Sequence, residues 1–249
     1  MVYNEQPDRA TPRVGAGPVT TVDDQRGHRP AHAATAGIGA PRPLADELFL
    51  VFLDDRSGGF RAKPRTVELA LAGALLGELL LDRRIAITQG RVRVIASGPP
   101  PPDRLTRILL GQLLAEVDLE DVRPWIAYLS QTAVRQVAVR LRTAGLVDHT
   151  HSWRSGDLYP ARDQNRRFLG TVRLRHTFSA TGFTDWQSVL LAGLLDASSA
   201  LNLVLWTPGE LAAGHQLLAK VFNDADAIPC QELVAHVQAA VGAAVLANT

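Results

Sequence analysis

One cysteine, Cys230, is all the thiol the chain has. That excludes an intramolecular disulfide and a multi-cysteine zinc site, and leaves Cys230 as a small core side chain in a reducing compartment. Lysine is nearly absent: of 26 basic residues only Lys63 and Lys220 are lysine, an arginine bias that points to a GC-rich, bacterial genome. The net charge is only +1, so no global attraction to nucleic acid or membrane exists and any basic surface must be local. A targeting segment is missing too, since MVYNEQPDRATPR has no basic-then-apolar order and begins Met-Val rather than Met-Gly. The longest apolar runs, 69–81 and 189–195, fall short of the ~20 residues a spanning helix needs. The expectation is a cytoplasmic protein that meets a membrane, if at all, from the side.

Catalytic signatures are equally scarce. There is no P-loop, no GxGxxG after a strand, no HExxH and no GxSxG. His149 and His151 could chelate a metal from one strand edge, but no carboxylate–histidine set accompanies them in sequence, so a polar turn is expected and no metal or cofactor. The acidic pairs Asp54–Asp55 and Glu120–Asp121, with Asp118 nearby, sit at helix ends; beside a helix start such charge fits the macrodipole and needs no catalytic role.

What the chain does have is helical pattern. Residues 1–42 are rich in Pro, Gly, Ala and Thr without any period, and read as a disordered leader. From Pro43 to Ile95 the order is helix, glycine-containing basic loop, long apolar helix, tight hairpin. Pro64 suits a first helical position, and from Thr66 to Leu81 only Glu68 and Glu78 are charged. A helix apolar nearly all round is a core helix. IAIT and RVRVI flank Gln89-Gly90, a two-residue turn. After a proline-rich connector from Ser97 come helices over about 104–116, 120–130 and 132–144, the last ended by Gly145 in the left-handed position. An irregular or β-wing stretch follows to Tyr159, then helices over about 163–175, 185–195, 210–222 and 231–246. The fold class is mainly α: one helical domain over 43–249, built around an apolar core helix with small β-hairpins.

Two stretches carry possible binding chemistry. Arg56, Arg61, Lys63 and Arg65 cluster with Gly58, Gly59 and Phe60 at the start of the core helix, where basic side chains and free backbone N–H groups can hold phosphate. Thr132 to Val147 followed by a Trp-bearing turn has the order of a winged helix, with Arg135, Arg140 and Arg142 able to face phosphates.

The runs LADELFLVFLDDRSGG, ELALAGALLGELLLDRRIAI, VRPWIAYLS, RLRTAGLV and LLDASSALNLV, in that order, resemble the Golgi phosphoprotein 3 family in its prokaryotic branch, from about residue 43 to the C-terminus. The resemblance implies a mostly helical monodomain without catalysis. For eukaryotic members it implies binding of phosphatidylinositol 4-phosphate on Golgi membranes and adaptor work that retains glycosyltransferases. Carried onto this sequence, the family's pocket Trp falls at Lys63, its core-helix Arg at Ala72, and its basic pair at Gln131 and Val134 beside Arg135; none of the four residue types is kept. The family's membrane-inserting hairpin corresponds to about 151–160, which includes Arg154 and Ser155. The expected headgroup contacts are therefore Arg61, Lys63, Arg65 and Arg135, and the expected membrane contacts Trp153, Leu158 and Tyr159. The expected partners are an anionic membrane lipid and a protein client. A winged-helix nucleic-acid binder and a purely protein-binding scaffold are the alternative readings.

Overall fold

The structure, a computed structural model, describes residues 42–95, 98–116, 119–153, 156–179 and 185–247, with backbone alone for 164–167. The leader up to residue 41, together with Ser97, Asp118, Arg154 and Ser155, lies outside them.

The described chain is mainly α. Helix α2 (Pro64–Leu81) is the axis, and α1 (Leu44–Phe52), α4 (Val122–Ser130), α5 (Ala133–Thr143), α7 (Trp186–Ala197) and α9 (Ile228–Leu246) all pack against it. Helix α3 (Arg104–Ala115) touches α2 more lightly, and α6 (Gln164–Ser179) and α8 (Pro208–Phe222) lie further out against this layer. The lack of polar residues along α2 is the reason it is surrounded. An all-round apolar surface gains by removal from water on every side, by about 25 cal/mol per Å², and buried positions run round the helix from Thr66 to Leu79. Close approach also needs missing side chains. A Cβ built on Gly77 would stand 2.7 Å from Leu190 Cδ2 and 2.8 Å from Leu44 Cδ2, and one on Gly73 would overlap Val237.

Helix ends follow local chemistry. Pro64 opens α2, the Asp103 carboxylate accepts from the backbone N–H of Thr106 to cap α3, and Thr207 with Glu210 forms a capping box on α8. Gly145, at φ +69°, ends α5, with the Leu146 N–H donating back to the Leu141 carbonyl at 2.9 Å.

Two antiparallel hairpins complete the fold. In the first, β1 (Ile85–Thr88) pairs with β2 (Arg91–Val94), and Gln89 and Gly90 both take positive φ, 54° and 73°, as a primed turn requires. The turn's amides are not left to water. Gln89 N–H and Gly90 N–H donate to the two oxygens of Glu232 on α9, at 3.2 and 3.1 Å. Glu232→Ala is expected to lower stability by about 1 kcal/mol, the typical net value of such bonds, readable as a lower urea midpoint at unchanged slope. The second hairpin, β3 (Thr150–Ser152) with β4 (Gly156–Leu158), occupies the stretch expected to be a wing.

One buried polar knot sits among these helices. Arg140 on α5 donates from Nε to Asp46 of α1 at 2.7 Å, from Nη1 and Nη2 to Glu78 of α2 at 2.8 and 2.7 Å, and from Nη1 to Asp103 at 3.1 Å. Glu78 also accepts the Ala45 N–H at 2.9 Å. Beside it Glu47, 3% exposed, is held by Arg173 of α6 at 2.5 Å and Gln187 of α7 at 3.3 Å. Charged residues from α1, α2, the N-cap of α3, α5 and α6 thus meet around the core.

Candidate functional site

The basic loop between α1 and α2 is built by Asp54. Its Oδ1 accepts from Arg56 N–H, Ser57 N–H and the Ser57 hydroxyl at 3.2, 2.9 and 2.8 Å, an Asx-type turn. The Ser57 backbone and side-chain bonds hold the Asp54 carboxyl below the usual carboxylate range. Gly58 then takes φ +70°, and only glycine fits there: a Cβ would lie 2.8 Å from the Pro160 nitrogen. The approach is tight because the Gly58 carbonyl accepts the Tyr159 N–H at 2.6 Å. A ring cluster closes behind it, with Phe49 edge-on to Phe60 at 5.1 Å and to Tyr159 at 5.3 Å, and His149 stacked on Tyr159 at 5.3 Å.

The basic loop and the Trp-bearing turn, ninety-odd residues apart in the chain, are therefore one structural unit. Trp153 stands at the hairpin turn, 83% exposed. Leu158 is half-buried, its Cδ2 3.7 Å from where a Gly59 Cβ would be. Tyr159 is a correction: expected at a membrane interface, it is 4% exposed, because its ring fills the gap between the loop and α1. Burial raises its phenol pKa.

The four expected headgroup residues divide in two. Arg61 pairs with Asp55 at 3.4 Å. Arg65 pairs with Glu68 at 3.0 Å and donates to Ser130 Oγ at 2.8 Å, which fastens the start of α2 to the end of α4. Lys63, at the N-cap of α2, and Arg135, one turn into α5, are exposed and make no ion pair with a described residue. Arg135 shares its helix face with Val139, 53% exposed, and Arg142, at spacings of four and three.

Arg140 is the second correction. In the winged-helix reading it faces phosphates with Arg135 and Arg142; instead it points into the core, 11% exposed, against three carboxylates. The exposed basic stripe on α5 loses its middle member. At the far end of α5 a pocket of about 380 Å³ is lined by Val139, Arg142, Thr143, Asp148, His149 and Arg162. Asp148 takes both Nε and Nη2 of Arg162, at 2.8 and 2.6 Å, which cancels one of its two cations.

His149 and His151 do have a carboxylate partner, Asp157, which sequence spacing did not flag. His151 faces Asp157 directly across the β3–β4 ladder, so the cross-strand register was the missing signal. Among the described residues no set of three or more His, Cys, Asp and Glu side chains is placed to hold a metal ion. Cys230 is buried, as expected for a core side chain, and burial pushes its thiol up to about 11.

Taken together, the described residues form a mainly helical domain whose exposed aromatic hairpin is stitched to a basic loop, and no helix among them is long and apolar enough to cross a membrane. The family model of Golgi phosphoprotein 3 (GPP34) matches residues 44–247. The chain belongs to the Golgi phosphoprotein 3 family. No curated protein matches it.

Proposed function

We propose that this protein is a non-enzymatic adaptor that docks from the side onto a membrane bearing an anionic phosphate headgroup and there holds a protein client. In this reading, which leans on the family resemblance, the headgroup is phosphatidylinositol 4-phosphate or another phosphoinositide-like lipid, and the place of work is the cytoplasmic face of a membrane. The observation that carries the reading is Trp153, 83% exposed on a hairpin whose outgoing strand is bonded to the basic loop through Gly58 and Tyr159. An aromatic ring with a polar edge is favoured at the headgroup level of a bilayer. Lys63 and Arg135 supply charge that no ion pair within the described residues consumes, while Arg61 and Arg65 contribute through ends already shared with Asp55 and Glu68. Leu158 supports the hairpin from behind rather than entering the lipid.

Each cation near an anionic surface is worth about 1 kcal/mol, so attachment through this few is weak and salt-sensitive, screened over about 10 Å at 0.1 M salt. In co-sedimentation with vesicles that contain an anionic phospholipid, the wild-type chain is expected to pellet at low salt and less at higher salt. The pair Lys63→Glu with Arg135→Glu is expected to abolish pelleting, and Trp153→Ser to reduce it, in line with loss of one interfacial ring. Pelleting that survives both changes would assign the membrane contact to another surface.

A further inference from the structure

The hairpin carries a cluster that the docking reading leaves unused. Both histidines converge on one oxygen of Asp157: His149 Nε2 lies 3.1 Å from Oδ1 and His151 Nδ1 lies 2.8 Å from it. His149 is further fixed by stacking on Tyr159, with 22° between the rings. All three side chains meet water, at 35%, 71% and 53% exposure. The other charged groups facing the cluster are Arg142 from α5, and Asp148 and Arg162 at the hairpin base, which share the pocket with His149. Asp148 and Arg162 neutralise each other. Arg154, which follows Trp153 in the sequence, adds a cation whose charge does not change with pH. The imidazole bonds hold the Asp157 carboxyl below the usual carboxylate range, so it stays an anion where imidazoles titrate.

We propose that the His149–Asp157–His151 cluster makes attachment to an anionic lipid surface acid-dependent, by changing the charge of the hairpin beside Trp153. The inference rests on the membrane reading above and adds its regulation. With both imidazoles neutral the trio carries one negative charge; with both protonated it carries one positive charge. Imidazole is the side chain that changes charge between about pH 5 and pH 8. The hairpin's two bonds to Asp157 persist in both states, because a neutral imidazole with its N–H turned to Asp157 and an imidazolium both donate to the same oxygen. What changes is the field that the membrane meets. Two added charges, each strengthening attachment about fivefold near an anionic surface, raise the partition coefficient ~20-fold at low salt.

The test is co-sedimentation of the full chain with vesicles of phosphatidylcholine and phosphatidylglycerol, and of phosphatidylcholine alone, at about pH 5.5 and about pH 7.5. The chain has seven histidines, so the reading is the difference between the wild type and the pair His149→Gln with His151→Gln. The wild type is expected to bind anionic vesicles ~20-fold more strongly at the acidic pH. The double variant is expected to keep the neutral-pH binding and lose most of that rise. Asp157→Asn, which removes the negative charge, is expected to raise neutral-pH binding about fivefold. An acid-induced rise of the same size in the double variant would overturn this inference and leave the membrane reading standing. Failure of the wild type to pellet at either pH would overturn both.

Discussion

Arg140→Met is expected to lower the unfolding free energy by about 3–5 kcal/mol, the cost of breaking a buried ion pair by removing one partner. The guanidinium serves three carboxylates at once, two of them no more than 7% exposed. Methionine has similar length but donates nothing, so Asp46 and Glu78 would remain buried without the donor that satisfies them. Urea unfolding at neutral pH, compared at equal slope, reads the loss directly. A change below about 1 kcal/mol, the value of an exposed pair, would mean that water reaches the knot.

The same knot has a pH signature. Burial, more than compensating the pull of Arg140, raises the Asp46 carboxyl to about 7. A folded-state value above the unfolded one favours the protonated form in the folded protein. The stability linked to Asp46 is therefore complete below its unfolded value near pH 4 and is lost as pH rises through about 7. Asp46→Asn keeps an acceptor for Arg140 and removes the titration. The variant is expected to match the wild type at about pH 4 and to exceed it in stability at about pH 8, and an unchanged difference between the two pH values would refute the assignment. Burial works against the Arg140 charge, but the bonds and charges of Glu78 and Asp46 outweigh it and push the group above its ordinary value, so the guanidinium stays charged throughout.

Gly73→Ala and Gly111→Ala are expected to have opposite signs. Both glycines lie inside helices, where alanine is intrinsically better by about 1 kcal/mol. At Gly111 on α3 nothing stands within 4 Å of the new methyl, so a gain of ~0.5–1 kcal/mol is expected. At Gly73 the methyl would overlap Val237 of α9 and stand 3.2 Å from Leu194 Cδ2 of α7. Close-packed interiors do not yield cheaply to an inserted carbon, and overpacking costs about 1–3 kcal/mol. The net expectation at Gly73 is a loss of about 2 kcal/mol, and Gly73→Val should be worse still. Stability equal to the wild type in the alanine variant would show that α9 can move away from α2.

The neighbourhood of α2 was legible from sequence because the signal is local and redundant. A run of Ala, Leu, Val and Gly interrupted from Val67 onward only by Glu68 and Glu78, in a helix opened by Pro64, reads as a buried helix. Gln89-Gly90 between alternating strands admits only a tight hairpin, and Gly145 ends α5 for the same kind of reason. Helix edges moved by a few residues; α6, for example, runs on to Ser179 rather than to Arg175, as expected where capping signals are weak. Gly58 in the basic loop and Gly156 in the second hairpin both take left-handed backbone, at φ +70° and +71°, the local demand that glycine meets at least cost.

Individual side chains were not legible. Arg135, Arg140 and Arg142 look equivalent on a helical wheel until the positions of Ala133, Val137 and Leu141 fix the inward face. Arg140 flanks that face, and its partners stand 37, 62 and 94 residues earlier in the chain. Tyr159 follows the alternating β4 strand and looks as available as Trp153, yet it is drawn inward by Phe49 and Phe60. Asp157 meets both histidines only because the β3–β4 register sets it opposite His151.

The sequence by itself determined the helical class, the core helix, both turns and the family, because propensity, apolar period and glycine or proline chemistry act over a few neighbouring residues. Only the tertiary structure decided which cations are spent inside and which remain outside. Whether a charge is buried, paired or free depends on elements distant in the chain that must first be brought within a few ångströms of one another.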